Sequence, residues 1–263
     1  MISPLAHVDP DAKIGKDVTI HPFAFVDAGT TIGDGCEIKP YASIIRGTTL
    51  GANVRVYQGA IVGADPQDFR WKGEDTFCFV GDNTVIREHV IINRGIQSAG
   101  GTRIGAGCFI MANSHIGHDS QIVGKCVVGN NVSIAGNVFV DCGTILSSGV
   151  ILHEKSRVGK YVLVKGGTRI GGNVPPFTIM AHNPAAYYGV NSVVLDKHAG
   201  FSSAEVDDIA KAYRHLYQSP TSVYNALQRI EGDIEDSPVR REIVGFIRNC
   251  NLRVVGHNVE LDD

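Results

Sequence analysis

Aliphatic residues recur at every sixth position over most of the chain. From Val8 to Ile170 the ladder of Ile, Val or Leu holds at 25 of 28 positions. The residue two places before each ladder position is always Ala, Val, Thr, Cys or Ser. A period of six matches neither the 3.6-residue turn of an α-helix nor the two-residue alternation of a strand. It is the period of short strands joined by turns, which is typical of a parallel β-helix.

The spacing predicts a mainly β fold, a left-handed parallel β-helix over residues 1–176. Three hexads make one triangular coil, so residues i and i+18 stack and bury a continuous aliphatic core. The ladder is interrupted only at Asp68, Glu74 and Ser98, which predicts two loops that leave the repeat and rejoin it in phase. Glycines directly after ladder residues, such as Gly33, are interpreted as corner residues with positive φ.

The repeat ends at Val174-Pro175-Pro176, where two residues lack a backbone N–H. A linker is predicted over 177–200 and a small α-helical domain over 201–263, which caps the open end of the last coil.

Three helix starts are indicated in this C-terminal part. Ser202 and Glu205 have the spacing of a capping box. Ser219-Pro220 and Ser237-Pro238 predict two further helices, each with proline at its first position.

Composition excludes several classes of protein. Charged residues make up only 19% of the chain and hydrophobic residues 43%, so the chain is not disordered. The net charge of −3 gives no basic field for nucleic acid. No apolar run approaches the roughly 20 residues of a membrane span, and the N-terminus lacks a signal-peptide pattern. We therefore expect a cytoplasmic protein without membrane insertion.

The cysteines are interpreted as packing residues. No C-x-x-C pair occurs, and a cytoplasmic chain disfavours disulfides, so neither a metal site nor a disulfide framework is expected. Four of the six cysteines occupy the small-residue column of the repeat: Cys36, Cys78, Cys108 and Cys126.

The segment His115-Ile116-Gly117-His118-Asp119 is the strongest candidate for chemistry. The 18-residue step places Gly136 beside His118 on the next coil, and Glu154 one coil further. A histidine beside a glycine N–H suits acyl transfer to a hydroxyl, with Asp119 orienting the imidazole. The histidines are alternatively exposed corner residues. Two histidines three residues apart could also bind a metal ion, but no further ligand pattern in the sequence supports a metal site.

Short motifs on the loops and corners carry a family resemblance. Each segment of this chain is similar to one family motif. Gly63–Arg70 is similar to G-x-x-x-Q-D-L-K, Ile86–Glu88 to I-R-E, Ile92–Gly95 to I-x-R-G, His115–Asp119 to H-I-A-H-D, and Ile134–Val138 to L-A-G-H-V. Together they resemble the bacterial acyl-carrier-protein-dependent UDP-N-acetylglucosamine acyltransferases, which start lipid A biosynthesis. The similarity covers nearly the whole chain.

The resemblance implies specific roles for residues of the chain. His118 is the general base for the glucosamine 3-hydroxyl, Asp119 holds it, and Gly136 donates its N–H to the oxyanion. The remaining implied site residues bind substrate or line the cleft: Asp68 and Arg70 for the sugar nucleotide, His115, His153 and Glu154 along the cleft, Asn191 for the phosphopantetheine arm, and Gly166 as the acyl-chain ruler.

The resemblance also implies substrates and partners. The donor is a 3-hydroxyacyl acyl-carrier protein, whose phosphopantetheine thioester is a co-substrate, so neither a cofactor nor a metal is required. A glycine at the ruler position 166 predicts a long acyl chain. The family is homotrimeric, with active sites between subunits, and burial of one flat apolar face of the prism agrees with that assembly.

The chain departs from the family pattern at three places, of which Asn137, where the family has a histidine, is the mildest. Glu154 replaces a glutamine, which puts a negative charge one coil above Gly136, with Lys155 as the candidate compensating charge. A basic run that binds the carrier protein is replaced by residues 195–199. Arginines 240, 241, 248 and 253 are either a basic docking surface or solvated helix charges.

Two other functions stay open on this sequence. One is a related acyltransferase with a different donor or a different acceptor, such as a 3-amino sugar nucleotide. The other is a divergent non-catalytic paralogue that binds nucleotide or carrier protein, against which the retained His118, Asp119 and Gly136 argue.

Overall fold

A computed structural model describes residues 1–96 and 100–257, and it confirms the predicted parallel β-helix with α-helices at its C-terminal end. Most strands are only two residues long, as a hexad of strand and turn requires. In chain order the strands are β1 (His7–Val8), β2 (Lys13–Ile14), β3 (Thr19–Ile20), β4 (Phe25–Val26), β5 (Thr31–Ile32), β6 (Glu37–Ile38), β7 (Ser43–Ile44), β8 (Thr48–Leu50), β9 (Arg55–Val56), β10 (Ile61–Ala64), β11 (Cys78–Val80), β12 (Val85–Ile86), β13 (Ile91–Asn93), β14 (Thr102–Ile104), β15 (Phe109–Ile110), β16 (His115–Ile116), β17 (Gln121–Ile122), β18 (Val127–Val128), β19 (Ser133–Ile134), β20 (Phe139–Val140), β21 (Ile145–Leu146), β22 (Ile151–Leu152), β23 (Arg157–Val158), β24 (Leu163–Val164), β25 (Arg169–Ile170), β26 (Asn173–Val174), β27 (Thr178–Ala181) and β28 (Ala186–Val190).

The strands form the three walls of the prism. One sheet runs from β1 through every third strand to β25, the second from β2 to β26, and the third from β3 to β27 and β28. Within each wall the paired residues are 18 apart where the repeat is unbroken, as between β16 and β19. Val62 pairs with Ile92, and Val80 with Ile104, so both loops leave the repeat and rejoin it in phase, as predicted.

The ladder residues fill the interior. Of the ladder residues from Ile20 to Ile170, every one is buried, and the four column cysteines are 0–1% exposed among them. Full burial of one such aliphatic side chain contributes about 1.5–3 kcal/mol relative to exposure. The cysteines are therefore core residues, as the sequence indicated, and burial raises the pKa of the Cys78 thiol to about 12.

Most glycines after ladder residues have a different role from the predicted one. Gly33 and Gly117 do not have positive φ, so that interpretation was wrong for them, whereas Gly63 has a φ of 81°. Gly33 and Gly117 allow close approach of successive coils: a Cβ on Gly33 would lie 2.6 Å from the carbonyl carbon of Gly51. Positive φ occurs two residues later in the turn, at Gly35 (69°) and Asp119 (56°) among others. Aspartate is one of the few non-glycine residues that tolerate this region.

The C-terminal part closes the last coil. The segment 177–200, predicted as a linker, contains the antiparallel pair β27–β28 and a helix. Beyond it, Val255 N–H donates to the carbonyl of Asn173 in β26 at 2.9 Å. The helices are α1 (Ser192–His198), α2 (Ser203–Tyr217), α3 (Val223–Asp233) and α4 (Pro238–Arg248).

Two of the three predicted helix starts are confirmed. Ser202 and Glu205 form the capping box of α2, and Pro238 is the first residue of α4. The predicted start at Pro220 was wrong, because Ser222 caps α3 by accepting a hydrogen bond from Asn225 N–H at 3.2 Å. Within the described ranges, none of these helices is long and apolar enough to cross a membrane.

Candidate active site

His118 and Asp119 lie together in the turn that follows β16. The side chain of His118 is only 7% exposed, and its Nδ1 lies 2.9 Å from Asp119 Oδ2. Asp119 is itself held, because its backbone N–H donates to Thr102 Oγ1 and its Oδ2 accepts from the N–H of Ile96 at 3.0 Å. The carboxylate therefore fixes the orientation of the imidazole.

Gly136 lies directly under the imidazole, as the 18-residue step predicted. A Cβ at this position would lie 2.3 Å from His118 Nε2 and 2.4 Å from Cε1, so only glycine leaves room for the ring. Gly136 is buried, and its N–H has no acceptor among residues 1–96 and 100–257. A free backbone donor thus lies against the face of the histidine.

The loop between β10 and β11 brings Asp68 and Arg70 to the histidine. Asp68 Oδ2 lies 3.2 Å from His118 Nε2. Arg70 holds that carboxylate through Nε to Oδ1 at 2.9 Å and Nη2 to Oδ2 at 2.7 Å. Hydrogen bonds from Arg70 keep the pKa of Asp68 well below its ordinary value, and those from Asp68 raise the pKa of Arg70. A neutral imidazole has one N–H, so only the imidazolium donates to both Asp68 and Asp119.

Glu154 completes this group from the turn after β22. Its Oε1 accepts from Arg70 Nη2 at 2.9 Å. This hydrogen bond lowers the pKa of Glu154, which stays ionised near neutral pH. The charge that compensates Glu154 is therefore mainly Arg70, whereas the neighbouring Lys155 is exposed at a corner with φ of 63°.

His115 is tied to the base of the same loop. Its Nε2 lies 2.7 Å from Asn93 Oδ1, and Asn93 Nδ2 donates to the carbonyl of Asp65 at 2.6 Å. Burial lowers the pKa of His115, with repulsion from His118 as the smaller cause. His115 is therefore a neutral donor near pH 7 that links β16 to the loop.

Three other implied site residues have no hydrogen bond to His118, Asp68 or Arg70 within the described ranges. His153 is exposed at the corner that carries Glu154. Gly166 is exposed, and a Cβ there would lie 3.1 Å from the carbonyl oxygen of Ser148. Asn191 is 3% exposed, and its Nδ2 donates to the carbonyl of Tyr161 at 2.9 Å, so its amide holds the start of α1.

Sequence reasoning assigned no role to Arg94 and Gly95, although both stand in the quoted I-x-R-G motif. Arg94 is buried, and its Nη2 lies 2.7 Å from Asp65 Oδ1 while its guanidinium stacks 5.3 Å from the Trp71 ring centroid. Arg94 thus anchors the start and the middle of the loop that carries Asp68. A Cβ on Gly95 would lie 2.5 Å from Asp119 Oδ1, so glycine leaves room for that carboxylate.

The cluster has the chemical parts of an acyl-transfer site. It combines an oriented imidazole, a free backbone donor beside it and charged groups suited to a polar substrate. In the part of the chain that the structure describes, no three His, Cys, Asp or Glu side chains form a metal-ligating group.

Comparison with known proteins agrees with this interpretation. A family model described as UDP-N-acetylglucosamine O-acyltransferase, domain 2, matches residues 173–255, and one described as the GMPPB C-terminal domain matches residues 2–100. The chain is 44% identical over 230 residues to the acyl-[acyl-carrier-protein]–UDP-N-acetylglucosamine O-acyltransferase of Ectopseudomonas mendocina, covering 87% of this chain and 89% of that protein. The enzyme of the same name from Xylella fastidiosa is 41% identical, with 95% of each chain covered.

A solved structure is similar over the same length. The crystal structure of a UDP-N-acetylglucosamine acyltransferase from Bacteroides fragilis superposes with a TM-score of 0.95 at 40% identity, covering 97% of this chain and all of that one. The parallel β-helix and these relatives place the chain in the class of β-helical acyltransferases. Within that class, the chain belongs to the acyl-[acyl-carrier-protein]–UDP-N-acetylglucosamine O-acyltransferase family.

Proposed function

We propose that the protein transfers a 3-hydroxyacyl chain from acyl-carrier protein to the 3-hydroxyl of UDP-N-acetylglucosamine, the first step of lipid A biosynthesis. The observation that carries the proposal is the stack of His118 on Gly136 with Asp119 at Nδ1. The acceptor and donor are those named for relatives that match this chain over most of its length.

In the proposed reaction, Nε2 of His118 removes the proton of the acceptor hydroxyl as its oxygen attacks the thioester carbonyl carbon. Asp119 stabilises the imidazolium that forms. The N–H of Gly136 donates to the oxyanion, and the carbon–sulfur bond then breaks. The imidazolium returns the proton to the leaving sulfur, so the enzyme ends unchanged. The side chain of Asp68, whose Oδ2 lies 3.2 Å from Nε2, turns aside for the hydroxyl while its loop stays in place.

The remaining site residues are proposed to bind substrate. Arg70 and Asp68 meet the sugar nucleotide, because they present a guanidinium and a carboxylate next to the histidine. His115 and His153 line the cleft. Gly166 determines the length of the acyl chain and leaves room for a long one. Asn191 shapes the donor site by holding the start of α1, because its amide is already bonded to Tyr161.

We further propose that the protein works in the cytoplasm as a homotrimer without metal or cofactor. Light scattering should then give about three times the 28.2 kDa mass of one chain. Activity should be unchanged by a chelator.

The function is tested by supplying UDP-N-acetylglucosamine with a pool of 3-hydroxyacyl-carrier proteins and analysing products by mass spectrometry. The proposal expects one O-acylated sugar nucleotide with a long chain. Product only with a 3-amino sugar nucleotide would assign a different acceptor. Binding without turnover for any donor would make the protein a non-catalytic relative. Arg70 neutralises Glu154, so the added negative charge gives no reason to prefer an amine acceptor over the hydroxyl.

A further inference from the structure

Arg70 joins two carboxylates that come from distant parts of the chain. Its Nη2 donates both to Asp68 at 2.7 Å and to Glu154 at 2.9 Å. Asp68 belongs to the same loop as Arg70, whereas Glu154 lies 84 residues away in the turn after β22. The guanidinium therefore ties the loop to the coil wall.

The contacts of Arg70 span three successive coils at the candidate active site. His118, Gly136 and Glu154 follow one another at 18-residue steps, one on each coil. Asp68 contacts His118, on the first of these three coils. Arg70 therefore connects Asp68, beside His118, to Glu154 on the coil that follows Gly136. The planar guanidinium suits this task, because it presents several donors in a fixed geometry that an ammonium group lacks.

We propose that Glu154 is a positioning residue that acts through Arg70, and that it sets the affinity for the sugar nucleotide by holding Arg70 and its loop beside His118. The inference rests on the proposed function, since it assumes that Arg70 and Asp68 meet the acceptor. Glu154 itself does not touch the acceptor. It holds the loop in the arrangement that binds substrate, so the loop is ordered before binding rather than during it.

The size of the effect follows from exposure. The side chains of Arg70 and Glu154 are 52% and 42% exposed, so water and salt screen the pair. We expect Glu154→Ala to weaken binding of UDP-N-acetylglucosamine about two- to fivefold at low salt. The kcat should stay within about twofold, because the chemistry at His118 is unaltered once substrate is bound. Glu154→Gln should recover part of the affinity, since its amide oxygen still accepts from Nη2.

A double-mutant cycle shows whether Glu154 acts through Arg70. The affinity for UDP-N-acetylglucosamine is measured by calorimetry without donor in the wild type, Glu154→Ala, Arg70→Ala and the double variant. The inference expects Glu154→Ala to have no further effect once Arg70 is absent. An equal loss of affinity in both backgrounds would overturn it, because Glu154 would then act without Arg70.

Two further measurements separate positioning from general damage. Hydrogen exchange of the loop 65–77 should become faster in Glu154→Ala, while exchange in the β-helix core stays unchanged. The matched control is Glu231→Ala, which breaks an Arg248–Glu231 pair of similar exposure in the helical part and should leave affinity and loop exchange as in the wild type. Unchanged loop exchange in Glu154→Ala would contradict the inference.

The failure of this inference is distinguishable from failure of the proposed function. If the wild type forms the acylated sugar and Glu154→Ala matches it in affinity and loop exchange, the function stands and the positioning role is wrong. If the wild type neither binds nor acylates UDP-N-acetylglucosamine, the proposed function fails, and the positioning role falls with it.

Discussion

The imidazole of His118 packs on the backbone of Gly136, where a Cβ would lie 2.3 Å from Nε2. Gly136 does not have positive φ, so its backbone accepts alanine without conformational strain. Alanine would instead push the imidazole off its position. We expect Gly136→Ala to lower kcat about 10²-fold, in the range set by loss of an oriented base or an oxyanion donor.

The control for this change is Gly245→Ala in α4, where an added Cβ meets nothing within 4 Å. That variant should keep full activity and gain about 0.5–1 kcal/mol of stability, because alanine is the better helix former. Gly136→Ala activity within a factor of three of the wild type would show that the imidazole does not depend on this glycine.

The core of the repeat gives a prediction about stability. Val127 and Val128 are neighbours in β18, but Val128 is fully buried in the prism while Val127 is half-buried on its outer face. We expect Val128→Ala to lower the free energy of unfolding by about 2 kcal/mol through the cavity it leaves. Val127→Ala should lower the free energy of unfolding by less than half as much, with both variants measured by urea titration. Equal costs for the two variants would contradict the assignment of inner and outer faces.

His115 predicts a pH dependence of stability. Its pKa is lowered by burial in the folded chain, whereas the unfolded chain has the ordinary histidine pKa of about 6.5. As pH falls below that value, the unfolded state binds a proton more readily, so this contribution to stability is present above it and is lost below it. Glutamine keeps a donor for Asn93 but does not titrate in this range.

The melting temperature should therefore fall more in the wild type than in His115→Gln between about pH 7.5 and pH 5.5. If the melting temperature falls equally with pH in the two proteins, His115 contributes nothing to this pH dependence.

Gly166 predicts the length of the acyl chain. The position is exposed, and a Cβ there meets only the carbonyl oxygen of Ser148, at 3.1 Å. If Gly166 sets the length of the chain, Gly166→Ile should shift the product toward shorter chains, since each excluded methylene forfeits about 0.8 kcal/mol of burial. Mass spectrometry of products from a mixed donor pool measures the shift. An unchanged chain-length distribution would remove Gly166 from the acyl site.

The repeat made most of the fold predictable. A fixed six-residue ladder determines the strands, the inward face and the stacking partner of each residue, which is why Gly136 could be placed beside His118. The same arithmetic fails where the chain leaves the repeat. Asp68 and Arg70 lie in a loop without periodicity, so their contacts with His118 and Glu154 follow only from the structure.

Local rules failed at other points for physical reasons. Gly33 was assigned a positive φ, but it is required by the close approach of the next coil, which no local pattern shows. The segment 177–200 lacks the hexad, so its hairpin and α1 were not predicted. These elements depend on packing against the last coil and α2 rather than on their own periodicity.

The proposed acyl transfer depends most directly on His118 as the general base. The decisive measurement is kcat of His118→Asn with UDP-N-acetylglucosamine and a long-chain 3-hydroxyacyl-carrier protein, alongside calorimetric binding of the sugar nucleotide. We predict that kcat falls about 10³-fold while the sugar nucleotide still binds, since a positioned base contributes about 10²–10⁴-fold. Turnover within a factor of ten of the wild type would contradict the account.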